Sequence, residues 1–288
     1  LAERQARRGS REDSSVAERV FGAVLFAVVF LGTLIWGKLP FTVAIALAAA
    51  LGSAELFSLF ERKGEGVPTA AVVGILGSVA YVLMAHYKGF ASFGYVTIAI
   101  VFFSFLWYMV VLRHVKPTKA VALTVLAPIL SGLCLSHLVL LRELPVRRSW
   151  LIVIFFIALI WVYDVLAWAI GRKLGRHKIA PSVSPNKSLE GALAGTVGVI
   201  GASFLFRLIV VSIEDYKWFS IGVALVIAAL VVVLGPLGDL SESLIKRDYG
   251  IKDMGALIPG HGGIMDRFDS TLFTAPAVFY YLFYFVIK

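Results

Sequence analysis

Long apolar runs constrain this chain before any motif is read. Nine stretches, 18–37, 40–60, 68–86, 91–112, 118–141, 149–170, 189–213, 217–239 and 269–287, approach the length a helix needs to cross a bilayer. That length is about 20 residues, because the hydrocarbon core is about 30 Å thick and a helix rises about 1.5 Å per residue. Lipid offers no partner to a free backbone amide, so such runs must be helical. The expected fold is all-α, a polytopic integral membrane protein with about nine transmembrane helices. Composition agrees: 59% of the 288 residues are hydrophobic and 16% charged, against about 45–50% and about 25% in soluble domains. No soluble domain or internal repeat interrupts the pattern. Three regions follow: a charged N-terminal segment 1–19, transmembrane helices over 20–145, and a C-terminal transmembrane region 146–288 with the longest loops, 171–188 and 240–268.

The formal charge is +9, from 27 lysines and arginines against 18 aspartates and glutamates. These cations sit in short loops between apolar runs, not on one soluble surface. That placement suits anionic headgroups or a polyphosphate, and no nucleic-acid partner is expected. With nine spans, 19 cations fall on the side of the N-terminus and 7 on the other, while Arg207 lies inside a span. The positive-inside rule then predicts a cytoplasmic N-terminus and cytoplasmic loops 171–188 and 240–268, in a cell's inner or plasma membrane. No small-residue cleavage site follows the first apolar run, which predicts an uncleaved N-terminal segment. Cys134 is the one cysteine, so an internal disulfide and a multi-cysteine zinc site are excluded, and a packed or lipid-facing thiol is expected. The five histidines form no HExxH pair and no phosphate-binding Walker loop occurs.

Carboxylates inside apolar runs are costly and by default mark function. Glu55, Asp164 and Asp239 each fall near the cytoplasmic end of an expected helix, so all three approach one membrane face. Glu55 stays open between a functional acid and an interfacial one. Arg207 stays open between pairing with an acid, touching a lipid phosphate and snorkelling. The densest chemistry runs from Gly238 to Asp269. On a helix Asp239, Glu242, Ser243 and Lys246 are spaced i, i+3, i+4 and i+7 and share one face. Acid at one end of that face and a cation at the other suit Mg²⁺ beside a phosphate chain. Pro236 is expected to bend the helix just before it. Gly260, Gly262 and Gly263 allow positive φ and an anion-binding turn of backbone amides. Asp269, just before the last apolar run, reads as the N-cap of that helix. Asp266 has no such structural role. Mg²⁺ takes hard oxygens, typically one or two carboxylates plus substrate phosphates. Asp239 and Asp266 are the expected pair, with Glu242 on the same face as a further ligand.

This segment resembles the phosphatidate cytidylyltransferase (CDP-diacylglycerol synthase) family, whose C-terminal signature is S-x-x-K-R-x-x-x-x-K-D-x-x-x-x-x-P-G-H-G-G-x-x-D-R-x-D. Ser243, Lys246, Arg247, Lys252, Asp253, Pro259, Gly260, His261, Gly262, Gly263, Asp266, Arg267 and Asp269 fill every fixed position. An upstream block, Asp164-x-x-Ala167-x-x-x-Gly171-Arg172-x-x-Gly175-Arg176 followed by Ser184-Pro185-Asn186-Lys187-Ser188-Leu189-Glu190-Gly191, is similar to a second family pattern. Asn186 stands where many members carry lysine. The resemblance covers roughly residues 160–270.

It implies transfer of the cytidylyl group of CTP to phosphatidic acid, giving CDP-diacylglycerol and pyrophosphate for phospholipid biosynthesis. Lys187, Lys246, Arg247 and Arg267 would neutralise phosphates, and the Gly260–Gly263 turn would donate amides. Asp164, Arg172, Ser188, Glu190 and Ser243 would line the substrates. His261 stays open between shuttling a proton and packing the turn or binding a phosphate. Mg²⁺, a second metal ion and a homodimer are also implied. Competing readings are a CTP-dependent cytidylyltransferase or kinase acting on an isoprenoid or ether lipid and, remotely, a membrane transporter. The transporter predicts midplane acids on broken helices and repeat symmetry.

Overall fold

A computed structural model of the chain describes residues 22, 24–62, 68–111, 117–210, 218–251, 254–255 and 262–287. Its helices are α1 (Val24–Trp36), α2 (Lys38–Arg62), α3 (Ala71–Lys88), α4 (Phe93–Val110), α5 (Pro117–Pro128), α6 (Cys134–Glu143), α7 (Trp150–Leu174), α8 (Leu189–Val210), α9 (Ile221–Asp248), α10 (Met265–Phe268) and α11 (Thr271–Tyr281). A wide turn over Ile129–Leu133, following Pro128, joins α5 to α6 into one span, Pro117–Glu143. Proline removes a backbone donor, and such turns relieve the resulting clash within a helix.

Among the described residues, seven helices are long and apolar enough to cross a membrane: Lys38–Glu61, Ala71–Lys88, Phe90–Val110, Pro117–Glu143, Trp150–Leu174, Leu189–Val210 and Ile221–Asp248. The first and last expected spans correspond to shorter apolar helices, Val24–Trp36 and Thr271–Val286. The all-α reading holds with one addition. Within the expected loop 171–188, Lys178–Ala180 (β1) and Ser184–Ser188 (β2) pair as an antiparallel hairpin.

Two helices overrun their expected ends, which changes where the acids lie. Helix α7 continues to Leu174 and α9 to Asp248. Asp164 and Asp239 therefore stand about 14–15 Å inside their helix ends, not at them. The site they face reaches into the membrane-spanning part of the protein.

One continuous buried cluster ties the N-terminal helices to the C-terminal region, with Phe41, Phe57, Tyr81, Leu135 and Leu138 at one end and Phe155, Phe156 and Phe219 at the other. Large apolar side chains face outward on α4 (Ile98, Phe102, Met109) and α8 (Val197, Leu205, Leu208), as lipid-facing helices require. Between helices, small residues permit contact. Ser78 hydroxyl reaches Ser53 at 3.0 Å and Ser131 at 3.2 Å, and a Cβ on Gly132 would lie 2.6 Å from the Ser78 Cα. Close backbone approach of this kind is how helices associate where lipid is as apolar as leucine.

Candidate active site

The face of α9 predicted from spacing is present. Glu242 is 1% exposed, Ser243 and Lys246 are buried, and the Ser243 hydroxyl lies 3.4 Å from Asp239 Oδ1. Lys246 Nζ contacts Asp266 Oδ1 at 2.8 Å and Glu242 Oε1 at 3.3 Å. Neither Glu242 oxygen has a well-formed hydrogen bond. From the hairpin, Lys187 Nζ reaches Asp239 Oδ2 at 2.7 Å and donates to the Pro236 carbonyl at 3.3 Å. Two lysines from different elements thus hold the two acids expected to bind metal.

The glycine turn binds anions, but the described part of it binds the protein's own. Gly262 has φ +80°. Gly263 N–H donates to Asp266 Oδ2 at 2.7 Å, and Met254 N–H to the same oxygen at 3.1 Å. The next amides, Ile264 N–H and Met265 N–H, donate to Glu55 at 2.9 and 3.1 Å. Burial raises the Asp266 carboxyl, but the Lys246 and Gly263 hydrogen bonds outweigh it and the group ends below its ordinary range. Asp266 is therefore a fixed, ionised carboxylate. Gly260 and His261 lie outside the described residues.

Asp269 is not the N-cap expected of it. Its backbone is helical (φ −52°, ψ −52°), and it closes α10 instead. The N-cap position of α11 falls to Ser270, which makes no side-chain cap. The chain is nearly continuous helix from Met265 onward, and Asp269 Oδ1 accepts the adjacent Ser270 N–H at 2.5 Å while the residue lines the cavity. Burial and the neighbouring Asp239 push its carboxyl up to about 6. The close approach has a local cause: a Cβ on Gly238 would collide with the Asp269 carbonyl oxygen. Glycine before Asp239 is what lets α9 touch the turn that carries Asp269.

Asp164, Asp239, Asp266 and Asp269 line one cavity of about 260 Å³ together with Arg267. The cavity is also lined by apolar side chains, Phe26 and Phe30 on α1 and Ile157, Ile160 and Trp161 on the face of α7 that carries Asp164. Sequence reasoning missed Asp269, because an aspartate just before an apolar run looks like a cap. It also missed the apolar lining, since those side chains are indistinguishable in sequence from lipid-facing ones.

Several motif residues serve the scaffold around this cavity. Ser188 Oγ accepts Gly191 N–H at 3.2 Å and so caps α8. Glu190 accepts Arg176 N–H at 3.1 Å, His177 N–H at 3.2 Å and contacts His177 Nδ1 at 2.7 Å, closing the hairpin onto α8. Arg247 donates to the Val183 and Ile251 carbonyls at 3.3 and 3.2 Å. Arg172, exposed, lies over Trp168 at 5.6 Å.

The profile of the Cytidylyltransferase family matches residues 17–285. The chain belongs to that family. It is 36% identical over 269 residues to a phosphatidate cytidylyltransferase of Bacillus subtilis, covering 92% of this chain and 97% of the relative. A phosphatidate cytidylyltransferase of Synechocystis is 31% identical over 297 residues, 92% of this chain and 96% of its own. One from Thermotoga maritima is 46% identical over 116 residues, 40% of this chain and 43% of that protein.

Among the described residues, no three acidic, histidine or cysteine side chains stand together as a ready-made metal cage. The cavity is nonetheless suited to a hard cation. Asp164, Asp239, Glu242, Asp266 and Asp269 outnumber Lys187, Lys246 and Arg267 around it. A preassembled cage is not how Mg²⁺ is usually held; it keeps waters and shares carboxylates with substrate phosphates.

Proposed function

We propose that this protein transfers the cytidylyl group of CTP to phosphatidic acid. The observation that carries the reading is one cavity lined both by four aspartates and Arg267 and by aromatic and aliphatic side chains, with Lys187 and Lys246 paired to two of those aspartates. A charged nucleotide and a lipid phosphate can meet only in a site that borders both phases. In the reaction, an oxygen of the phosphatidate monoester forms a bond to the α-phosphorus of CTP. The bond from that phosphorus to the α,β-bridging oxygen breaks, and pyrophosphate leaves with its electron pair. A phosphate monoester is already an adequate nucleophile, so the protein's work is positioning and charge stabilisation.

Half-buried Lys187 and buried Lys246 are the cations suited to the triphosphate and the departing pyrophosphate, each now held by an aspartate that a ligand would relieve. Asp239 and Asp269, with Asp266 and Glu242 behind them, are the groups that would hold Mg²⁺. When bound there, the ion would supply positive charge against the charge developing on the departing pyrophosphate. Lipid entry along the apolar lining keeps the acyl chains out of water. The active-site face is cytoplasmic in this reading, where CTP is found, and the protein works as a homodimer.

The test is direct: purified protein in detergent is incubated with CTP, phosphatidic acid and Mg²⁺, and the liponucleotide and pyrophosphate are quantified. Equal amounts of both products are expected. Release of phosphate without liponucleotide, or preference for an isoprenoid-ether phosphate offered in parallel, would replace the reading.

A further inference from the structure

Glu55 lies on α2, in the part of the chain that the family signatures do not cover, and only 5% of it is exposed. Its carboxylate accepts Ile264 N–H at 2.9 Å through Oε1 and Met265 N–H at 3.1 Å through Oε2. A Cβ on Gly263 would stand 2.5 Å from Glu55 Oε2, and one on Gly255 2.8 Å from Oε1. Both glycines thus make room for this one acid. One turn earlier on the same face, Gly52 receives the Met265 side chain: a Cβ there would lie 2.8 Å from the methionine Sδ. Met265 is 1% exposed. Helix α2 therefore grips Met265 at two points, by its amide and by its side chain. The residues that follow are Asp266, Arg267 and Asp269, all on the cavity wall.

A buried carboxylate is expensive, and an apolar residue of similar size would pack the α2 face without that cost. What an apolar residue cannot do is bind two amides at the start of a short helix and so fix its rotation. We infer that Glu55 is a positioning residue. It holds the Gly263–Phe268 segment against α2 so that Asp266 and Asp269 face Asp239 and Asp164 across the cavity. The inference rests on the proposed metal-dependent transfer for its functional consequence, but not for the contact itself.

The test uses the full-length protein in detergent with Glu55→Gln, Gly263→Ala and the double variant. Glutamine keeps one acceptor and turns an NH₂ group towards an N–H. Hydrogen exchange followed by mass spectrometry should show at least tenfold faster exchange in peptides spanning 262–268 of Glu55→Gln, with α4 peptides unchanged. The Mg²⁺ concentration giving half the thermal stabilisation should rise about tenfold, and kcat should fall more than KM for CTP changes. Glu55→Asp should recover part of both losses. Gly263→Ala, whose new methyl displaces the same carboxylate, should give the same rise, and the double variant no more than either single one. Unchanged exchange over 262–268, or a lower melting temperature with Mg²⁺ half-saturation within twofold of wild type, would overturn the inference. If Glu55→Gln does not fold, Gly263→Ala decides alone, and a normal half-saturation there overturns it too. Wild-type protein blind to Mg²⁺ would refute the metal reading instead, leaving the exchange measurement to decide for Glu55.

Discussion

Asp269 shows how one side chain can oppose stability and serve chemistry. Its carboxyl, ordinarily near 3.8, is pushed up to about 6 by burial and by Asp239. A carboxyl raised in the folded state binds its proton more tightly there than in the unfolded chain. Metal-free stability from this group is therefore highest below about pH 4 and falls as pH rises to about 6, by on the order of 1–3 kcal/mol. A bound cation reverses that loss, and protons compete with it. Mg²⁺ should thus raise the melting temperature most above pH 6, and the effect should shrink as pH falls through 6 towards 5. Asp269→Asn should raise the metal-free melting temperature at pH 7.5 while removing both the Mg²⁺ response and turnover. A thermal-shift series over pH and Mg²⁺ checks both statements; a Mg²⁺ shift of equal size at pH 5 and 7.5 contradicts them. Lys187 gives a second residue-level expectation. It holds Asp239 at 2.7 Å in the position suited to neutralise a phosphate. A charge-assisted contact is worth about 1.5–3 kcal/mol, so Lys187→Ala should raise KM for CTP about tenfold or more. Initial rates at varied CTP measure it, and unchanged KM and kcat would remove Lys187 from the site.

At the scale of elements, the site depends on α9 touching the α10–α11 turn, and Gly238 sets that distance. A Cβ there falls on the Asp269 carbonyl oxygen, which is backbone and cannot swing aside. Gly238→Ala should push the turn away from α9, at about 1–3 kcal/mol of overpacking. Because Asp239 and Asp269 separate together with their backbones, kcat should fall at least tenfold although no charge has changed. Melting curves and steady-state rates on one preparation test this; full activity with lowered stability would make Gly238 a packing residue only. The same elements mark what a sequence can reveal. The apolar runs were legible because bilayer thickness sets their length, and the face of α9 because helical period sets its spacing. Contacts of long separation were not. The partners of Glu55 lie 209 and 210 residues away, and nothing local to Glu55 predicts them. The motif also carries structural contacts that spacing does not show: Ser188, Glu190 and Arg247, expected at the substrates, cap a helix and brace a hairpin. A motif records which residues a family needs and cannot separate those facing substrate from those holding the site open. The hairpin went unseen because three- and five-residue strands are too short to display alternation.

For the whole molecule, polarity is divided between two ends. The cavity carboxylates, the hairpin and Glu55 gather at one. At the other, where α2 begins and α3 and α6 end, Lys38 pairs with Glu143 at 2.5 Å and His86 Nδ1 meets the same acid at 2.9 Å. The positive-inside rule applied to the sequence predicts that the first end is cytoplasmic, which would give the cavity access to CTP. Labelling can decide the orientation, because Cys134 is buried and leaves little background. Ser182 at the hairpin tip and Lys88 at the far end of α3 are both exposed. Ser182→Cys should react with a membrane-impermeant maleimide in inverted vesicles and not in intact cells. Lys88→Cys should do the reverse. Labelling of Ser182→Cys from outside intact cells would turn the protein over in the membrane and separate the cavity from its nucleotide.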